Sequence, residues 1–154
     1  MEYSARVQWR RSAATPFNAK SFDRTHKIYF GSGFSIEACS APEFLGRSDL
    51  PNPEEMFVAS ISSCFMLTFL YWAAAEGMTV DHYVDDAVGI LAKNESNKMA
   101  ITEVILQPKI TFQNKRELPP EVMSALLQKA HDNCFISASV KTIVTIKTKQ
   151  PALA

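Results

Sequence analysis

The stretch Asn52-Pro53-Glu54-Glu55-Met56-Phe57-Val58-Ala59-Ser60-Ile61-Ser62-Ser63-Cys64-Phe65, running on to Glu76-Gly77, decides the fold. It opens as a helix opens. Asn52 suits the N-cap, Pro53 the first helical position, and Glu54 and Glu55 the first turn, where free N–H groups favour negative charge. Gly77 suits a left-handed cap at the other end. Between Met56 and Ala75 no residue is charged. A run of that length reaches the threshold for a membrane span. Against that reading, Ser60, Ser62, Ser63 and Thr68 interrupt the first half, three alanines fill the end, and no Lys/Arg cluster flanks either side. The alternating segments elsewhere also need a core to cover. The stretch therefore reads as a buried helix of a soluble protein. A helix apolar all round is buried on every side, and in so short a chain that predicts a second subunit.

The 154 residues suit one domain spanning 1–154 with a real core. Lys+Arg and Asp+Glu balance at 16 each, so nothing points to nucleic acid or an acidic membrane surface. The start, Met1-Glu2-Tyr3-Ser4-Ala5-Arg6, lacks the apolar core of a signal peptide, and the expected compartment is the cytoplasm. Three cysteines, an odd number, do not make a disulfide framework; in a reducing compartment they are reactive, metal-binding or simply buried.

Working outward, Tyr3, Ala5, Val7 and Trp9 alternate with Ser4, Arg6, Gln8 and Arg10, the pattern of a half-buried strand. Residues 11–21 read as a loop. Lys27 to Phe30 is a second strand, Gly31-Ser32-Gly33 a hairpin turn, and Phe34 to Ala38 a third strand. After the long helix, Val80 to Leu91 reads as one strand with acidic interruptions, and Lys93 to Lys98 as a polar turn. Val104, Leu106, Ile110 and Phe112 share one parity of a further strand, in which Pro108 marks an edge or bulge. A second helix starts at Leu118-Pro119-Pro120-Glu121, with Val122, Met123, Leu126, Leu127 and Ala130 on its buried face. Val140, Thr142, Val144 and Ile146 form a last strand. This order predicts an α+β fold, a mainly antiparallel sheet with helices on one face.

Cys64 lies within the apolar helix, where a free cysteine is usually a small core hydrophobe. Cys134 follows a helix end, among His131, Asp132, Asn133 and Ser137. Cys39 falls on the polar parity of its strand with no polar cluster around it. Three constellations can be built. Cys64 with Cys134 would be a dithiol pair. His131, Cys134, Cys64 and His26 would be a metal site, although the paired spacing typical of zinc sites is absent. Cys64 with His131 would be a thiol nucleophile, without a local signature. Spacing alone does not choose among them.

The motifs go one step further. Asn52-Pro53-Glu54-Glu55-Met56-Phe57 followed by Ser62-Ser63-Cys64-Phe65, with Asn133-Cys134-Phe135-Ile136-Ser137 near the end, resembles the OsmC/Ohr family of thiol peroxidases. The resemblance covers nearly the whole chain in element order. It implies an α+β fold built as an intertwined homodimer, with active sites at the subunit interface and no cofactor or metal. It further implies that Cys64 attacks an organic hydroperoxide and becomes a sulfenic acid, and that Cys134 resolves it to a disulfide. Glu54 would pair with an activating arginine, for which Arg24 is the first choice and Arg10 the second. In this sequence the N-terminal loop reads Phe22-Asp23-Arg24-Thr25-His26, and Phe135 rather than proline follows Cys134.

The chemistry accounts for such a set. An ordinary thiol is about 3% thiolate at neutral pH, and burial lowers that further. A buried guanidinium stays charged and favours the thiolate; a carboxylate such as Glu54 holds it in place. It can also polarise the O–O bond as the alkoxide leaves. An apolar wall of Phe57, Phe65 and Leu67 would suit alkyl or lipid-derived hydroperoxides, with His26 and His131 as added polar contacts. The expected reductant is a small dithiol or a lipoylated protein. Ten residues of helix rise about 15 Å, so Glu54 and Cys64 share one guanidinium only if the helix starts late or bends, or if the arginine reaches in obliquely. The alternative reading is a non-catalytic relative that binds a small apolar ligand at the dimer interface.

Overall fold

In the computed structural model, residues 1–14 and 16–148 are described. The chain divides into two compact units, Met1–Met56 and Phe57–Ala154. The first holds an antiparallel meander of β1 (Ala5–Gln8), β2 (His26–Phe30) and β3 (Ser35–Ala38). Arg6 faces Tyr29 across β1 and β2, and Ile28 faces Ile36 across β2 and β3. The Gly31-Ser32-Gly33 turn closes the hairpin: Phe30 N–H donates to Phe34 and Gly33 N–H donates to Phe30. The alternation read in residues 3–9 is present, but its apolar parity is not covered. Every residue of β1 is exposed in the single chain, and Tyr3, Val7 and Trp9 lie open.

The helix α1 spans Pro53–Ala75. Its start is a reciprocal capping box. The Glu55 N–H donates to Asn52 Oδ1 at 2.8 Å, and the Asn52 N–H donates to Glu55 Oε2 at 3.2 Å. Its end is a left-handed cap at Gly77, φ 73°, where Met78 N–H donates to Ala73 and Gly77 N–H to Ala74. Both ends fall where the sequence puts them.

The second unit packs the rest of α1 with two sheets and two further helices. β4 (Val80–Asp85) pairs antiparallel with β7 (Pro108–Phe112). β5 (Val88–Lys93) pairs antiparallel with β6 (Met99–Leu106). Helices α2 (Pro120–Asp132) and α3 (Phe135–Ala138) then lead to β8 (Ile143–Ile146), which runs parallel to β6. The single strands expected over 80–91 and 104–112 are each two strands, broken at the same level. Asp85 is the cause: its carboxylate accepts the Gln107 N–H at 2.6 Å and the Ser62 hydroxyl at 2.5 Å. Gln107 is thereby drawn out of the ladder, and Pro108 has no N–H to restore it.

The core gathers Ile61, Phe65, Phe69 and Ala73 from α1, Val104 and Leu106 from β6, and Met123, Leu126, Leu127 and Ala130 from α2. The α1 residues recur every fourth position, one stripe of the helix. The sequence suggested burial on every side. In the single chain only that stripe is sealed; Ser60, Ser63, Leu67, Tyr71 and Ala74 form an exposed stripe, with Leu67 61% and Tyr71 64% exposed. Among the described residues α1 is the one helix long and apolar enough to cross a membrane. Gly89 on β5 lets α1 approach the sheet: a Cβ there would meet a Val58 methyl at 2.5 Å.

Candidate active site

Cys64 sits between the two stripes of α1, one residue after exposed Ser63 and one before sealed Phe65. It is half-buried and packs on the core. One turn on, the Thr68 hydroxyl donates to the Cys64 carbonyl at 2.8 Å. Cys134 is the N-cap of α3, with the Ala138 N–H on its carbonyl at 3.0 Å, and its residue exposure is 0%. The two sulfurs lie within hydrogen-bond reach of each other. Seventy residues of chain separate them, and the packing of α1 against α2 closes that gap.

Burial is the main force on the Cys134 thiol and pushes its pKa up. The Ser137 hydroxyl and N–H oppose it, and the adjacent Cys64 sulfur adds to it. Both thiols are free, as is buried Cys39 in the first unit. His131, on the last turn of α2, is half-buried. Its Nδ1 lies 3.6 Å from Asp132 Oδ1, and its carbonyl accepts the Cys134 N–H at 3.2 Å. Among the described residues no group of three or more His, Cys, Asp or Glu side chains is placed to hold a metal ion.

Glu54 occupies the first turn of α1. One of its carboxylate oxygens is sealed from solvent and has no hydrogen-bond partner in the chain. Arg24 lies on the loop before β2. Its guanidinium donates to the Phe22 carbonyl at 2.9 Å and the Ala19 carbonyl at 2.7 Å, and stands over the Phe22 ring at 4.1 Å. Neither Arg24 nor Arg10 is among the ion pairs of the described residues. His26 opens β2, its Nδ1 2.9 Å from the Arg24 carbonyl. Phe57 is half-buried on the core, and Phe65 lies wholly inside it with no exposed surface. α1 begins at Pro53, so a late helix start does not shorten the interval between Glu54 and Cys64. The structure thus brings Cys64 and Cys134 together and does not join Arg24 to Glu54 within one chain. Sequence reading missed Ser137 as a partner of Cys134, although its place three residues on was in plain view.

Two touching thiols, one half-open and one sealed, on an α+β scaffold define a dithiol site of the kind redox proteins use. The chain belongs to the family of OsmC-like proteins, whose profile matches residues 46–149. It is similar to an OsmC-like protein of unknown function from Vibrio cholerae, with 37% identity, 96% of this chain and 99% of that chain covered, and a TM-score of 0.91. It shares its fold with an organic hydroperoxide resistance protein from Elizabethkingia anophelis (19% identity, 96% and 94% covered, TM-score 0.71). The same holds for the organic hydroperoxide resistance protein OhrB of Bacillus subtilis (19% identity, 95% and 98% covered, TM-score 0.64). Comparison with curated protein sequences gives no match.

Proposed function

We propose that the protein is a cofactor-free cysteine peroxidase that reduces organic hydroperoxides. The observation that carries this reading is the contact between the Cys64 and Cys134 sulfurs, with only Cys64 open to approach. The Cys64 thiolate attacks the outer oxygen of the hydroperoxide, the O–O bond breaks, and an alcohol leaves once protonated. Cys64 is then a sulfenic acid. The Cys134 thiol condenses with it, and water leaves as the disulfide forms. A dithiol or lipoylated protein returns both thiols.

Glu54 supports the charged part of the reading. A sealed carboxylate oxygen without a partner is costly, and a guanidinium is the natural group to meet it. We assign that cation to Arg24, with Arg10 second, in a cytoplasmic homodimer whose subunits cover the open stripe of α1. Phe57, His26 and His131 are the proposed substrate contacts, and Phe65 backs the Cys64 wall from inside.

The test is turnover of cumene or tert-butyl hydroperoxide with a dithiol, followed by mass spectrometry of the peroxide-treated protein. The expected result is an intramolecular Cys64–Cys134 bond in the parent and no turnover in Cys64→Ser. Full activity in that variant sinks the reading, and untouched thiols after peroxide would leave a ligand-binding relative in its place.

A further inference from the structure

Ser137 lies three residues beyond Cys134, within α3. Its hydroxyl oxygen is sealed from solvent and has no nitrogen or oxygen partner. What it does meet is sulfur: both its hydroxyl and its N–H lie within hydrogen-bond reach of the Cys134 thiol. Ser139 next to it shows the ordinary habit of a helical serine, donating to the Phe135 carbonyl at 2.7 Å. Ser137 does not. A buried hydroxyl with one sulfur as its neighbour has no packing reason to be polar, since alanine would fill the site without a donor to satisfy.

We propose that Ser137 is a positioning residue that donates its hydroxyl hydrogen to the Cys134 sulfur whenever that sulfur carries charge, and so sets the rate at which the disulfide closes and reopens. This rests on the thiol peroxidase reading of the same site. In closing, Cys134 gives up its proton and its sulfur attacks the sulfenic sulfur of Cys64. The S–S bond forms, the S–O bond breaks, and the departing hydroxide takes that proton to become water. In reopening, a thiolate of the dithiol reductant attacks Cys64, the more open sulfur. The S–S bond breaks and its electron pair leaves on Cys134. The reductant's second thiol then frees Cys64, and the dithiol ends as its own disulfide. Cys134 bears negative charge in both directions, once as nucleophile and once as leaving group. A sealed sulfur far from water has few other donors to stabilise that charge.

The experiment follows the two half-reactions separately in the parent and in Ser137→Ala, Ser137→Val and Ser137→Thr. Threonine and valine have the same shape and differ by one hydroxyl. Sulfenic acid on Cys64, trapped with dimedone, is expected to form in all four proteins. Conversion to the disulfide, and its reopening by dithiothreitol, should each slow about tenfold in the alanine and valine variants, one unit of thiol pKa. The closing step should reach half its maximal rate at higher pH in those variants. Threonine should restore the parent rates where valine does not. Equal rates for threonine and valine, both folded by circular dichroism, overturn the assignment. If the parent forms no sulfenic acid, the peroxidase reading fails on its own. The Ser137 assignment is then still judged by the dithiothreitol opening of a disulfide made with diamide.

Discussion

At the scale of single residues, the site is an asymmetry between two sulfurs. Cys64 stands at the edge of the buried stripe and Cys134 inside it. The pair was nameable from the motifs, because each cysteine lies in a recognisable setting. Its contact was not, because seventy residues of separation carry no distance. Tyr83 adds a second buried acid: its hydroxyl is sealed without a partner, and burial, with nearby Asp85, pushes its pKa well up. The sign of the resulting pH effect follows from both groups. The folded chain holds the protons of Cys134 and Tyr83 above the pH at which the unfolded chain releases them. That stability is complete below the unfolded values and is lost as pH rises through the raised ones. The urea midpoint of the reduced protein is therefore expected to fall steadily on going from neutral pH into the alkaline range. A flat profile would contradict it. Gly89 is a separate residue-scale case: Gly89→Ala drives a methyl into Val58 and should cost about 1–3 kcal/mol by denaturant unfolding.

At the scale of elements, the long helix was the most legible feature. Asn52, Pro53 and Gly77 mark both ends, and the structure uses all three. Asn52→Ala removes one side of the capping box and is expected to lower stability by about 1 kcal/mol, read as a shift in urea midpoint with an unchanged slope. The strands were less legible. Alternation in 80–91 and 104–112 is continuous, yet each run is cut where Asp85 recruits Gln107 and Ser62 from sequence positions over twenty residues away. No local pattern encodes a side chain that breaks its neighbour's ladder. The parallel pairing of β8 with β6 was invisible for the same reason: parity fixes which face a strand shows, not the direction of the strand beside it.

At the scale of the molecule, the composition of α1 carried more information than its single-chain burial. The sequence has no charged residue from Met56 to Ala75, but one protomer seals only the Ile61, Phe65, Phe69 and Ala73 stripe. Leu67 and Tyr71 on the open stripe are the surface we propose a second copy covers. A double change, Leu67→Glu with Tyr71→Glu, is expected to shift sedimentation from dimer to monomer; a dimer that persists unchanged would remove this stripe from the interface. The arginine is the part of the site that sequence reading located least well. Glu54 announces a missing cation, but a loop residue such as Arg24 has no periodicity to say which way it reaches, and in one chain it binds backbone carbonyls instead.

The contact between the two sulfurs also bears on what kind of cellular part this is. Because the reduced thiols already touch, closing the disulfide asks for little rearrangement of α1 or α2. Oxidation then leaves almost no imprint on the protein's outer shape for another molecule to read. Such a design suits a scavenger, which destroys an oxidant and resets, and serves poorly as a messenger, which must look different after it has met one.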